Sequence, residues 1–459
     1  MADDGTKFDD ASHGVGTPLG CGPAVFHIVN VCIGSGILAM PLVLKEAGAA
    51  VGIGMIACVA VTTWISIHML MRAADVSGGK GYSDVAKAAG GRGAYNVTRA
   101  LVVFLTFATM VGIVVVARDL LPQIADSARG RHFGSDASDT TSSGGFAHLA
   151  TSPNVLAAAM VALFMFPLSC LRSMHGLRFV SLASFAVVIA ICATMTWSLF
   201  SGNVSPPPSS SSRDNGGLVL AKFRPMGFLR VLPLIFYAFG CHPQLVHVFS
   251  EARGRVSVSR FADVYFPLGG VICVLLYGWM GLVGYATYRN ETQGNVLLNI
   301  PPSDVAVGII VRSAMVLSVS CSFPLCMAAC RHVLASLVFS PPRTQHEASP
   351  LLINGSDTSS ESTDVDERTL TQVEHVCLTL GIVVLVYAVA VAAPNLQTVF
   401  GLAGATGAVV DEYCLPAYVY HRLVAKTMWQ RTSAWLVGGV AAVVGIACTI
   451  AIISNTGTR

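Results

Sequence analysis

Long uncharged apolar runs follow one another from residue 24 to residue 454, and they leave this chain few folds to choose from. At 1.5 Å per residue, a helix of about 20 apolar residues crosses roughly 30 Å of hydrocarbon. Eleven runs reach that length: 24–45, 50–72, 95–121, 153–172, 177–200, 227–250, 264–288, 304–335, 372–393, 396–421 and 433–454. Only 12% of residues are charged, about half the share of an ordinary globular domain. In hydrocarbon each backbone polar group must be satisfied within its own segment, so such runs become helices. The expected class is an all-α integral membrane protein with eleven transmembrane helices. Gly, Ala and Ser recur inside the runs and let such helices approach closely.

The N-terminal segment MADDGTKFDDASHG is polar and opens with acids. It lacks the basic start and short apolar core of a cleaved signal, so the first run is expected to be a permanent span. The domain reading is a cytosolic tail (1–23), one transmembrane domain (24–454) and a C-terminal tail (455–459). Three polar inserts, 122–152, 201–225 and 340–370, are expected to be flexible loops. All thirteen cysteines lie in or beside apolar runs, so no loop disulfide framework is implied. In a membrane helix a cysteine packs as a small apolar residue. The net charge of +3 gives no reason to expect a nucleic-acid partner. Beyond substrate and surrounding membrane lipid the sequence names no partner, and it leaves the oligomeric state open.

An odd number of spans puts the termini on opposite sides. With the N-terminus in the cytosol, about 17 Lys/Arg fall inside and about 10 outside, as the positive-inside rule prefers. Two Asn-x-Ser/Thr sequons, at Asn203 and Asn290, then lie outside, where glycosylation can occur. Two more, at Asn96 and Asn354, lie inside.

Two spans carry their own interruptions. The first reads NVCIGSGILAMPL, with Gly34, Ser35 and Gly36 at its centre and Pro41 further on. Gly costs roughly 1 kcal/mol and Pro roughly 3 kcal/mol against Ala in a helix interior. The sixth reads FYAFGCHPQL, broken at Gly240, Cys241, His242 and Pro243. Each break lies about a dozen residues into its span, roughly 16–18 Å deep. Both therefore sit near the bilayer midplane, in spans that cross in opposite directions. A packing kink explains one such break. Two at equal depth fit a transporter of two inverted five-span repeats, with discontinuous first and sixth helices and one extra C-terminal helix. Unwound backbone there offers amides to a carboxylate, and Pro41 is expected to free the Ile37 carbonyl. Gly34, Ser35, Gly36, Phe239, Gly240 and Cys241 are the substrate-binding candidates. Gly34–Gly36 is expected to be non-helical and to face the sixth-span break across a cavity.

At these segments the chain resembles the amino acid/auxin permease superfamily. NVCIGSGILAMPLVLKEAG (30–48) looks like that family's first span, and FYAFGCHPQLVHVFSEA (236–252) like its sixth. IIVRSAMVLSVSCSFPLCMAACRHVL (309–334) is similar to its eighth, and FGLAGATGAVVDEYCLPAYVYHRL (400–423) to its tenth. The sodium-coupled neutral amino acid transporter branch is the nearest likeness, carried by the Cys-His-Pro triplet (241–243) and PPSDVAVGIIVR (301–312). The resemblance implies movement of small amino acids by alternating access, driven by an ion gradient. It also implies a sodium site built from an Asn of the first span and a hydroxyl of the eighth. Asn30 matches the first; Ser318, Ser320 and Ser322 are candidates for the second, with Asn30 and Ser320 the possible metal pair.

Read as residues, each polar candidate has a plainer alternative. Asn30 can bridge two helices instead of binding a cation through oxygen. The three serines fan over different faces, so at most one or two can face a site; otherwise they bond their own helix. His242 can carry a proton or tie down broken backbone. Asp411 and Glu412 stand about fifteen residues into the tenth span and depart from the family pattern, which is apolar or hydroxylic there. Intramembrane acids are functional hypotheses by default; alternatively the helix ends early and both face an inner vestibule. A buried acid would make the proton an alternative to sodium. Asn30, Ser318, Ser320, Ser322, His242, Asp411 and Glu412 are thus the ion-coupling candidates.

The leading expectation is a secondary active transporter of small, neutral amino acids, coupled to sodium or protons, with no other cofactor. A sensor of the same fold is the alternative, but it would need an ordered cytosolic element, and 340–370 is the one sizeable inner segment. An enzyme is not expected, since no nucleophile–base or metal-ligand spacing occurs. A channel lacks its rings of pore-lining groups. EASPLL (347–352) resembles an acidic dileucine sorting signal, which adds endosomal, lysosomal or vacuolar membranes to the plasma membrane as destinations.

Overall fold

A computed structural model describes residues 21–128, 152–171, 178–201, 218–222, 224–252, 256–300, 305–338 and 371–456. Among these residues every regular element is helical. Eight helical stretches among them are long and apolar enough to cross a membrane, one of them, Pro225–Ser250, taken through its break. The remaining apolar runs, 21–47, Pro153–Ser169 and 396–423, are shorter or interrupted. The tail 1–20, Asn203, Asn354, the 301–304 part of the eighth-span entry and the loop 340–370 with EASPLL lie outside the described residues.

The first run divides into α1 (Cys21–Cys32), a 3-10 turn (Ser35–Ala39) and α2 (Met40–Ala47). Pro41 sits in the first turn of α2, where its missing N–H is no loss. The expectation for Ile37 is corrected: its carbonyl accepts from the Met40 N–H, because the 3-10 turn closes before the proline. Gly48, at φ 91, turns the chain sharply from α2 into α3 (Ala49–Ser77). Residues 219–222 dock on that corner: Ala49 and Ala50 donate to the carbonyls of Val219 and Leu220, and Lys222 N–H donates to Ala47.

Next comes α4 (Tyr82–Ala128), bent at Gly90–Gly91, where Gly91 takes φ 65. It continues through Pro122 to Ala128, so 122–128 is helix and not the start of a loop. After α5 (Pro153–Ser169) and α6 (Arg178–Ser201) the second break divides α7 (Pro225–Ala238) from α8 (His242–Ala252). The gap is Phe239–Cys241 alone. His242 and Pro243 begin α8, because a proline at a helix start costs nothing.

The chain then forms α9 (Phe266–Tyr288), α10 (Val305–Val338), α11 (Gln372–Ala392), α12 (Leu396–Ala403), α13 (Leu415–Leu423) and α14 (Met428–Thr456). Two π turns, Gly404–Ala408 and Val410–Cys414, join α12 to α13. α10 runs along α4, and α9 packs on α1, α2 and α3. α7 lies against both the 3-10 turn and α2, so the two interrupted spans meet inside the bundle.

Candidate functional site

Glycine decides how closely the two breaks approach. A Cβ on Gly36 would lie 3.0 Å from the Ala238 Cβ and 3.2 Å from its Cα. At Gly36 the breaks therefore touch, instead of facing one another across a cavity. Gly34 differs: it is extended (φ -129, ψ -153), exposed, and a Cβ there would meet nothing within 4 Å. Gly240 is exposed as well, while Ile33, Ser35, Phe239 and Cys241 around them are buried. Open space thus reaches the first break at Gly34, whereas Gly240, though exposed, has the Glu412 carboxylate and the Tyr237 carbonyl beside it.

The stubs of the half-helices are tied to a single phenol. Tyr277 of α9 lies 2.7 Å from the Cys32 carbonyl and 2.8 Å from the Ala238 carbonyl. Its one proton serves either acceptor, and both are end-of-helix carbonyls without an intrahelical donor. The Cys32 thiol, in turn, contacts those of Cys241 and Cys273. Phe239 packs edge-on against the Tyr277 ring at 5.3 Å. No sequence pattern marks Tyr277, one of four tyrosines in the run 264–288. Tyr277→Phe removes the hydroxyl and leaves the ring. It should lower stability by about 1–3 kcal/mol, as for other buried unpaired acceptors. The thermal unfolding midpoint in detergent and the uptake rate should both fall; unchanged values of both would discard the tether.

Of the two acids of the tenth run, Glu412 faces the second break. Asp411 and Glu412 are each 1% exposed, and helix continues past them to Leu423, so the early-end alternative fails. They lie in the π turn Val410–Cys414. A π turn takes carbonyls out of the ordinary ladder, and side chains satisfy two here. The Tyr82 hydroxyl donates to the Asp411 carbonyl and the Ser66 hydroxyl to the Glu412 carbonyl. Ser66 has then spent its proton, so His242 Nε2, 3.2 Å away, donates to the Ser66 oxygen. Thr63 and Tyr413 share a bond of 2.9 Å alongside. The Glu412 carboxylate itself points at the break: its Oε1 would lie 2.8 Å from a Cβ on Gly240. His242 Nδ1, Asp411 Oδ1 and Glu412 Oε2 are buried without a hydrogen-bond partner.

The eighth-span serines separate cleanly. Ser318 lies 2.9 Å from the Ser184 hydroxyl, and Ser322 donates to the Ser318 carbonyl at 3.3 Å. Ser320 is fully buried, and its hydroxyl has no partner. Asn30 is half-buried on α1, two residues before its end. Among the described residues no cluster of three or more His, Cys, Asp or Glu has metal-site geometry.

A multi-pass helical bundle with two interrupted spans meeting at its core defines a transporter architecture. The chain belongs to the transmembrane amino acid transporter protein family, whose model matches residues 18–457. It is 27% identical to the amino acid transporter AVT6E of Arabidopsis thaliana over 455 residues, covering 95% of this chain and 84% of that one. Vacuolar amino acid transporter 2 of Saccharomyces cerevisiae is 24% identical, over 88% of this chain and 76% of its own. The sodium-coupled neutral amino acid symporter 2 of Danio rerio is likewise 24% identical, with the same two shares. Among solved structures, the inward-facing conformation of Mhp1 superposes with a TM-score of 0.60 at 13% identity, covering 96% of this chain and 91% of that one. MhsT in complex with L-phenylalanine gives 0.53 at 11% identity, with 94% and 98% covered. The structural likenesses concern the fold.

Proposed function

We propose that this protein is a secondary active transporter that moves small neutral amino acids by alternating access, coupled to a sodium or proton gradient. In this reading eleven spans form an inverted five-plus-five repeat with one extra C-terminal helix, and the N-terminus is cytosolic. The observation that carries it is the meeting of the two interrupted spans inside the bundle, tied through Tyr277 and exposed at Gly34 and Gly240. The substrate's carboxylate takes the free amides around Ser35 and Gly36. Its ammonium takes carbonyls at Phe239 and Gly240.

Orphaned oxygens support cation coupling. An ionised carboxylate buried without a cation is expensive, so Glu412 and Asp411 each call for a proton or a bound cation during the cycle. Ser320, with Asn30, offers oxygen ligands of the kind sodium takes. The kinship with vacuolar transporters and with a sodium-coupled symporter fits either ion and either an internal or a surface membrane.

The test is reconstitution in liposomes with a panel of labelled amino acids under separate sodium and proton gradients. Gradient-dependent uptake of at least one small neutral amino acid is expected; none under either gradient ends the proposal. If sodium drives uptake, Asn30→Ala and Ser320→Ala should each raise the sodium concentration for half-maximal uptake by about tenfold, roughly 1.4 kcal/mol. A wild-type sodium curve in both removes that pair from the ion site.

A further inference from the structure

Some distance from the breaks, a polar cavity of about 420 Å³ opens where α2 ends, bounded by α4, α7, α12 and residues 292–298. Lys45, Glu46, Asp119, Arg230, Asn295 and Gln397 are among its lining residues. Two of its charges are already engaged. Lys45 Nζ donates to the Thr292 carbonyl at 3.0 Å, and Asp119 pairs with neighbouring Arg118 at 3.5 Å. Two are not. Arg230 Nε is buried without a hydrogen-bond partner. Glu46 reaches the start of α7, where its Oε2 would stand 2.9 Å from a Cβ on Gly227. Among the described residues the side-chain ion pairs are His68–Asp263 and Arg118–Asp119, so Arg230 and Glu46 line one cavity without pairing.

Asn295 adds a directed donor. It is 2% exposed, its Oδ1 accepts from the Leu297 N–H at 3.2 Å, and its Nδ2 has no partner. A buried donor, a cation and an anion thus share one cavity, unsatisfied by one another. Both charges are stabilised at once by a ligand with a carboxylate at one end and an ammonium at the other. The volume falls in the ordinary range for small-molecule sites, about 300–1,000 Å³.

We propose that this cavity is a second binding site for the zwitterion of a small α-amino acid. Arg230 and Asn295 hold the carboxylate and Glu46 holds the ammonium. The inference rests on the transporter reading, whose topology places this end of the bundle outside the cytosol. From Gly36 to Glu46 the chain rises ten residues, about 15 Å along a helix. The two sites can therefore be filled together, and the cavity would deliver substrate to the breaks or receive it from them.

Saturation binding to purified full-length protein tests this. The probe is tritiated L-alanine, exchanged for the best-carried amino acid of the uptake panel if alanine is not carried. Wild-type protein should bind two equivalents. Arg230→Met and Glu46→Gln, each checked for monodispersity, should bind one, and Arg230→Lys should regain the second with weaker affinity. Gly36→Trp should retain one equivalent, lost on adding Arg230→Met. One equivalent in a wild-type protein that carries the probe overturns the second site and leaves the transporter standing. So do two equivalents that persist in both Arg230→Met and Glu46→Gln. A wild-type protein that neither carries nor binds any amino acid sinks the transporter reading instead.

Discussion

Gly36→Trp should reduce amino acid uptake more than a hundredfold while the protein still inserts and purifies at wild-type levels. The reason is local and geometric. A Cβ at position 36 already lies 3.0 Å from the Ala238 Cβ and 3.2 Å from its Cα. Ala238 is the last residue of α7, held through its carbonyl to Tyr277, so it cannot retreat as a flexible side-chain tip would. An indole there must push α7 away from the first break or displace the 3-10 turn, and overpacking of this kind typically costs 1–3 kcal/mol or more. Insertion depends on the hydropathy of the run, which Trp preserves. Gly36→Ala sets the scale, because it demands only a few tenths of an ångström and should leave partial uptake. Uptake in liposomes beside gel filtration of the same preparation gives both readouts. Near-normal transport by the Trp variant would show that the two breaks do not need their contact.

Glu412→Gln should cut gradient-driven uptake at least tenfold and flatten its dependence on external pH, with exchange of labelled for unlabelled substrate reduced much less. Glu412 is 1% exposed, its Oε1 faces Gly240, and its Oε2 has no partner. Glutamine keeps the shape and a hydrogen-bonding end but cannot gain or lose a proton or balance a cation. Coupling is then lost while the substrate path survives. Asp411→Asn separates the two acids: the Tyr82 bond is to the Asp411 backbone and persists, so any change reports the carboxylate. An unaltered pH profile in both variants would remove the acids from coupling and leave the cation role to Asn30 and Ser320. Initial rates under imposed proton and sodium gradients, with counterflow as the control, distinguish these outcomes.

What is legible in the chain follows from what hydrocarbon forbids. Without water, the backbone of each apolar run must satisfy itself as helix. Glycine and proline clusters at 34–41 and 240–243 therefore stand out as breaks by residue type alone. Their depth follows from the rise per residue, and the acids at 411 and 412 are conspicuous because charge is rare there.

The run pattern does not reveal how each break is built. Whether Pro41 frees a carbonyl or begins a helix depends on a 3-10 turn just ahead of it. His242 looks like part of a gap, yet opens α8. Of three similar serines in the eighth span, neighbours in space engage Ser318 and leave Ser320 alone. Spacing along α10 cannot say which face meets α6.

The sequence by itself determined the helical membrane class, the family and the two places where helix fails, because these depend on hydropathy and on the backbone chemistry of single residues. Tertiary structure alone decided which groups meet. It brought Tyr277 to both half-helix ends, aimed Glu412 at Gly240, and put Arg230 and Glu46 unpaired in one cavity. The two Tyr277 bonds span 39 and 245 residues of chain. Such meetings are fixed by how helices pack, through contacts such as Gly36 on Ala238, and periodicity within one run carries no information about the face of another.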